Sequence, residues 1–195
     1  MIRHFTNLCK AILDSLFDEA IFQNATNEFQ CRSKKCPCCG ATGKLSPYGD
    51  YTRNLVSFIG GKVDSRIVTP LRFLCASCGT THALLPDITI PYSPYSIHFM
   101  ITVLLAYFER DTPVTVLCAG FGIAVSTLYE WKKRLVEHKD ILLGVLAGNK
   151  TPALAFLRYL IKSVSISDIL SGFFSRHAFS FMQSRSAAAA RYIPP

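Results

Sequence analysis

Two short cysteine turns carry the clearest chemical signal in this sequence. Cys36 and Cys39 are separated by two residues, Cys75 and Cys78 repeat that spacing, and a glycine follows each pair. Two cysteines at this spacing on one tight turn direct both sulfurs toward one ion about 2.3 Å away, and glycine supplies the positive φ that such a turn often needs. The spacing therefore predicts one structural zinc site with four thiolate ligands. A closed tetrahedral site of this kind leaves no open coordination position for catalysis.

Two neighbouring side chains leave the ligand set open. Cys38 could take the place of Cys39, and His82, four residues beyond Cys78, could replace a thiolate. A disulfide framework is the other explanation for eight cysteines in 195 residues. However, acidic residues interrupt the apolar positions near the N-terminus, so a secretory leader is not expected. We expect a cytoplasmic protein, and a reducing compartment favours metal binding over disulfides.

Basic residues are concentrated around these cysteines. The chain has a formal net charge of +8, and residues 31–85 contain eight basic and two acidic residues. A positive charge of this density beside a zinc-binding module favours contact with phosphate, so duplex DNA is the predicted partner. Within this segment the predicted phosphate contacts are Arg53, Arg66 and Arg72.

A second pattern, over residues 112–138, predicts two helices joined by a glycine turn. Pro113 takes the first helical position of one helix, and Ser126 caps the other. A helix-turn-helix needs a small residue where its helices cross, a glycine that reverses the chain and an apolar residue after it, and Cys118, Gly122 and Ile123 meet these needs. Any surface helical hairpin can produce a similar pattern. We interpret residues 112–138 as a DNA-reading helix-turn-helix. Its predicted DNA contacts are Ser126, Thr127, Tyr129, Glu130, Lys132, Lys133 and Arg134.

The remaining patterns predict the elements that hold these two regions in place. Apolar residues recur at helical spacing over residues 6–22 and predict an N-terminal helix. Residues 44–74, rich in β-branched and aromatic side chains around a Gly-Gly turn, predict a hairpin, and residues 80–87 predict a closing strand. Further helices are predicted over residues 97–108, 152–161 and 166–181.

These elements predict an α+β fold. No apolar run reaches the length of about 18 residues that a membrane span requires, so no membrane association is expected. The predicted organisation is an N-terminal helix and linker in residues 1–30, a β zinc ribbon in 31–92, an all-α helix-turn-helix region in 93–140, and C-terminal helices and a tail in 141–195.

Three segments occur in a characteristic order within residues 31–138: Cys-Pro-x-Cys-Gly, then Cys-x-x-Cys-Gly-Thr-Thr-His-Ala-Leu-Leu-Pro-Asp, then Thr-Leu-Tyr-Glu-Trp-Lys-Lys-Arg. This order resembles the zinc-ribbon and helix-turn-helix portion of bacterial insertion-sequence transposases. It is more similar still to a family of uncharacterised bacterial proteins that share the His-Ala-Leu-Leu-Pro-Asp segment. The resemblance implies recognition of transposon-end or related DNA. Further partners would be a second copy of the chain or a protein of the transposition machinery.

Transposases of this kind usually continue into a ribonuclease-H-like domain with a triad of metal-binding carboxylates. After His138, only Asp140 and Asp168 are acidic, so we expect no catalytic triad and no enzymatic activity. The predicted function is zinc-stabilised binding of duplex DNA, connected with a mobile element. The alternative is a zinc-ribbon adaptor for protein or RNA partners. Salt-sensitive, sequence-selective binding to duplex DNA would separate the two.

Overall fold

In the described part of the chain, the strands come before the five α-helices named below. The computed structural model describes residues 2–4, 27, 29–59, 61–109, 111–143, 151–163 and 166–184. Within these residues the strands are β1 Ile2–His4, β2 Leu45–Asp50, β3 Arg53–Ile59, β4 Lys62–Val68, β5 Leu71–Cys75 and β6 Thr81–Pro86. The helices are α1 Ile97–Glu109, α2 Val114–Phe121, α3 Val125–Leu143, α4 Ala153–Lys162 and α5 Ile166–His177. The predicted α+β class is confirmed, while the N-terminal helix predicted over 6–22 lies outside the described residues.

The sheet that carries the cysteines consists of β1, β6, β5 and β2 in that order. β5 pairs with β2 and β6 in antiparallel fashion, and β1 joins β6 in parallel. Leu45, Phe73 and Leu84 belong to one buried cluster on this sheet, and the ring of Phe29 packs 4.8 Å from that of Phe73. β1 was not predicted, because three residues are too few to display an alternating pattern.

β3 and β4 form a hairpin inserted between β2 and β5. The two strands pair along their whole length. The single hairpin predicted over residues 44–74 is therefore divided, because β2 and β5 at its ends pair with each other in the other sheet. Leu55 and Val68 bury their side chains in the core formed by the helices. The Val56 N–H donates to the Pro94 carbonyl at 2.7 Å, which ties the hairpin to the segment before α1. The hairpin therefore packs on the helical core, in a sheet separate from the one that carries the cysteines.

α1 is the central helix of this second core. Its Phe99, Met100 and Leu104 side chains are fully buried. The core also takes Phe173 and Phe181 from the C-terminal region, where we expected aromatic residues to pack inside. α5 ends at His177 rather than near residue 181 as predicted, because Ala178 adopts a left-handed φ of 58°. This early end returns residues 181 and 182 to the core.

A tight glycine turn joins α2 to α3. Gly122 has a φ of 64° and donates its N–H to the Ala119 carbonyl at 3.2 Å, while the Ile123 N–H donates to the Cys118 carbonyl at 3.0 Å. These are the two bonds of a Schellman motif, and Cys118 and Ile123 are both buried beneath it. The axes of α2 and α3 meet at 98°. Within the described residues, no single helix has both the length and the apolar composition to cross a membrane. In the same residues, α2 and α3 taken together have that length and composition, but they are separated by the bend.

The starts of three helices differ from the predicted positions. Pro113 and Pro152 are the residues before α2 and α4, each with an extended ψ of 143°, and their carbonyls accept the first helical hydrogen bonds. Each proline thus lies one position earlier than predicted. Ser126 does not cap α3, because the helix already begins at Val125 and the Ala124 carbonyl accepts its first bond.

Candidate metal centre and nucleic-acid interface

Two turns of equivalent geometry position the four cysteines. In each turn, the N–H of the first cysteine donates to the carbonyl five residues further on, at 2.9 Å for Cys36 and 3.0 Å for Cys75. The carbonyl of that cysteine accepts from the glycine N–H four residues further on, at 2.9 Å in both turns. Gly40 and Gly79 have φ values of 73° and 67°, a left-handed conformation that suits glycine. The glycine after each pair therefore closes its turn.

The four sulfur atoms lie within 4.8 Å of one another. The Sγ atoms of Cys36 and Cys78 are 3.7 Å apart, and those of Cys39 and Cys75 are also 3.7 Å apart. A metal–sulfur bond of about 2.3 Å places the corners of a regular tetrahedron about 3.8 Å apart. The sulfur cluster of Cys36, Cys39, Cys75 and Cys78 therefore has the dimensions of a tetrahedral site for one metal ion.

The thiols of the sulfur cluster influence one another's ionisation. Hydrogen bonds from Thr80, followed by those from neighbouring thiols, lower the pKa of Cys78 to about 6. At Cys39 the Ala41 N–H lowers the pKa, but desolvation and the hydrogen bonds with the other three thiols outweigh it and raise the pKa to about 12. Four thiolates at these separations repel one another, so a bound cation is needed to ionise them all.

His82 and Cys38, the alternative ligands, lie beside the sulfur cluster. His82 is buried, and its Nε2 is 3.2 Å from the Sγ of Cys36. Burial lowers the pKa of His82 to about 4, so the ring is neutral at pH 7 and can donate an N–H to a thiolate. The Cys38 N–H donates to the Cys36 Sγ at 3.4 Å, while the Cys38 thiol accepts from the Thr80 hydroxyl at 3.8 Å. Both residues support the cluster from outside.

α3 presents a polar face to solvent and an apolar face to the core. Its buried side is formed by Leu128, Trp131 and Leu135. The exposed side carries four of the predicted DNA contacts, Ser126, Tyr129, Glu130 and Lys133. The other three, Thr127, Lys132 and Arg134, are half-buried at the borders of this face.

Lys132 is held against two aromatic rings. Its Nζ donates to the Tyr107 hydroxyl at 3.1 Å and lies 5.3 Å and 5.9 Å from the ring centroids of Tyr107 and Tyr129. This arrangement connects α3 to α1 and fixes the direction of the Lys132 and Tyr107 side chains. Tyr107 was not among the predicted contacts, because it falls within the apolar pattern of α1.

The three arginines predicted to contact phosphate lie in two different places. Arg53 and Arg72 line one cleft of about 710 Å³, between the cysteine-bearing sheet and the turn formed by Pro91–Pro94. Arg66 lies on the hairpin, and its guanidinium pairs with the Asp64 carboxylate. The structure therefore brings Arg53 and Arg72 together and leaves Arg66 outside that cleft.

The turn at Pro91–Pro94 lies between two clefts. A second cleft of about 190 Å³ is formed on the same turn by residues that include Trp131 and Arg134 of α3. Arg53, Arg72 and Arg134, from β3, β5 and α3, therefore surround one turn. Sequence spacing could not show this grouping, since the three residues are far apart along the chain.

One family model matches part of the chain. It is described as a domain of unknown function (DUF6431), and it matches residues 36–131. The matched segment begins at the first cysteine of the sulfur cluster and ends at Trp131 in α3, so it includes both cysteine turns and the Pro91–Pro94 turn. No curated protein and no solved structure matches the chain.

Proposed function

We propose that this chain is a zinc-stabilised, non-enzymatic protein that binds duplex DNA through α2 and α3 and is connected with a mobile element. The observation that carries the proposal is the exposed polar face of α3, set at 98° to α2 by a glycine turn with a buried underside. Helices of DNA-binding helix-turn-helix units cross at about 90–120°, with the second helix in the major groove.

The proposed DNA-reading side chains lie in the first half of α3. Ser126, Tyr129 and Lys133 are exposed on one face, where they would meet base edges in the major groove. Lys132 and Arg134 at the borders of that face would contact the phosphate backbone. The net charge of +8 supports this arrangement, because cations that replace counterions on DNA supply most of the sequence-independent affinity.

The proposed zinc ion has a structural role in a cytoplasmic protein. It would join the turn after residue 35 to the turn between β5 and β6, and so fix the strand that carries Arg72. Thiolate ligands favour zinc over magnesium or calcium, which prefer oxygen ligands. Metal binding and folding of the small sheet would therefore be coupled.

Elemental analysis of the purified protein tests the metal. We expect about one zinc per chain, since four thiolates complete one tetrahedral site. Cys36→Ser and Cys78→Ser should lose the ion, whereas Cys118→Ser, a change in the buried side of α2, should retain it. Zinc at full occupancy in both sulfur-cluster variants would contradict the assignment.

Selection of bound duplexes from a random pool tests the DNA function and provides the preferred site for a competition assay. Ser126→Ala, Tyr129→Ala and Lys133→Ala should each cost about 1–3 kcal/mol on the preferred duplex only. Arg66→Ala, a change outside the cleft that Arg53 and Arg72 line, should weaken binding to all duplexes alike and reduce the salt slope by about one. If the α3 variants keep the wild-type ratio between preferred and random duplexes, α3 does not read DNA.

One observation favours the adaptor as a second candidate. Tyr129, Val136 and Leu143 follow one another at seven-residue spacing on α3 and are 47%, 40% and 42% exposed. Such a stripe fits a protein partner, either a second copy of the chain or a component of the transposition machinery. Light scattering of the wild type and of Val136→Glu tests self-association. Loss of a dimer in Val136→Glu, with no duplex binding by the wild type, would favour the adaptor.

A further inference from the structure

We propose that the 710 Å³ cleft beside the Pro91–Pro94 turn binds one unpaired nucleotide, with its phosphate on Arg72 and its base against the ring of Tyr92. This inference rests on the proposed nucleic-acid function and extends it from the duplex to a single-stranded flank. It assigns a distinct ligand to a surface for which sequence spacing predicted only general phosphate contact.

The shape of the cleft favours a single nucleotide over a duplex. A duplex presents a convex phosphate ridge with its bases stacked inside, so it cannot fill a concave cleft of this volume. An unpaired nucleotide can place its sugar and base within it. The walls combine hydrogen-bonding groups of Asn54 and Thr81 with the rings of Tyr51 and Tyr92, which is the mixture that single-stranded sites use.

The charge of the cleft favours an anionic ligand. Among the described residues, its lining includes two guanidinium groups and no acidic side chain, and neither Arg53 nor Arg72 forms a salt bridge with another of these residues. Nη2 of Arg72 donates to the Thr81 hydroxyl at 2.6 Å, which fixes the direction of a planar group suited to phosphate. Arg53 donates to the Ser93 carbonyl and thus positions the turn.

The ring of Tyr92 lies at the rim of this cleft even though the backbone conformation there is unfavourable for its side chain. Tyr92 is 52% exposed and has a φ of 61°, a left-handed conformation that is unfavourable for a bulky side chain. Strained conformations of this kind concentrate at binding sites. A phosphorylated peptide would need the cation but not an exposed ring, whereas a nucleobase uses the ring for stacking.

Binding measurements with three DNA probes test the proposal: the blunt preferred duplex, the same duplex with an overhang of a few thymidines, and the thymidine strand alone. We expect the overhang to improve affinity on the order of tenfold, the effect of stacking one base. Tyr92→Gly should remove this gain and leave binding to the blunt duplex within about twofold. Glycine suits the left-handed φ, so this variant retains the backbone of the turn. Tyr92→Phe should keep the gain, and so should the control Tyr159→Ala, which removes an exposed ring from α4.

The outcomes separate this proposal from the proposed duplex function. Equal affinity for blunt and overhang duplexes, or a gain that persists in Tyr92→Gly, would overturn the nucleotide site and leave duplex binding in place. Binding of the thymidine strand that is lost in Tyr92→Gly, without binding of the blunt duplex, would support the site and overturn the duplex function. Binding of a phosphotyrosine peptide in preference to the thymidine strand would also overturn the nucleotide site.

Discussion

Cys38 and Cys39 are adjacent, exposed and chemically identical, yet they occupy different positions around the sulfur cluster. The Cys39 Sγ lies 3.7 Å from that of Cys75, whereas the Cys38 thiol faces the Thr80 hydroxyl. We therefore expect Cys39→Ser to lose the metal and Cys38→Ser to retain it. Elemental analysis after gel filtration measures both. Equal loss in the two variants would show that the ligand set includes Cys38.

His82 should affect how firmly the metal is held rather than whether it binds. Its neutral ring lies 3.2 Å from the Cys36 Sγ, where an N–H bond stabilises the thiolate. We expect His82→Ala to keep about one zinc per chain but to bind it about 10–100-fold more weakly. Competition with a coloured chelator measures this affinity. His177→Ala, which removes a histidine from α5, is the control, and complete loss of zinc in His82→Ala would instead make His82 a ligand.

The turn between α2 and α3 allows a matched comparison of two glycines. Gly122 has a left-handed φ of 64°, whereas Gly120, two residues earlier, lies within α2, and an added Cβ would meet nothing within 4 Å at either position. Only backbone preference then decides the outcome. Gly122→Ala should destabilise the protein by about 1–2 kcal/mol, while Gly120→Ala should stabilise it by about 0.5–1 kcal/mol. The denaturant midpoints of the zinc-loaded variants show whether each substitution raises or lowers the free energy of unfolding. A shift in the same direction for both variants would contradict this account of the turn.

Local patterns predicted most elements of this fold, and tertiary pairing determined the rest. The two cysteine pairs, the hairpin and α1 each follow from spacing or periodicity within one continuous segment. β1 could not be predicted in this way, because its strand character depends on pairing with β6, more than 75 residues further along the chain. The end of α5 depends on the return of Phe181 to the core. Helical periodicity within the segment cannot indicate this burial, because it depends on tertiary contacts.

The site shows the same division. The sulfur cluster was predictable because each turn determines its own geometry and the cluster is formed by only two turns. The cleft at Tyr92 could not be predicted, because its walls come from four elements that are separate in the sequence: β3, β5, β6 and the Pro91–Pro94 turn. Charge counts identified Arg53, Arg66 and Arg72 together, but only the packing of β3 beside the other sheet shows that two of them share a cleft.

The buried hydrophobic side chains of the described residues form two separate cores. The core of the cysteine-bearing sheet is small, and its buried residues are Phe29, Cys36, Leu45, Phe73, Cys75 and Leu84. Two of these are members of the sulfur cluster, so loss of a bound metal would remove support from this core. The larger core consists of the helices and the inner face of the β3–β4 hairpin, and it contains Cys118 but none of the sulfur cluster.

Removal of the metal should therefore unfold one part of the molecule and spare the other. After treatment with a chelator, we expect backbone amides of β5 and β6 to exchange with solvent much faster, while those of α1 and α3 remain protected. The β3–β4 hairpin is the critical element, since it lies between β2 and β5 in sequence but packs on the helices through Leu55 and Val68. Its amides should stay protected with α1. Hydrogen exchange measured by mass spectrometry, with and without chelator, tests this directly, and simultaneous loss of protection in the hairpin and β5–β6 would mean that the two cores unfold as one unit.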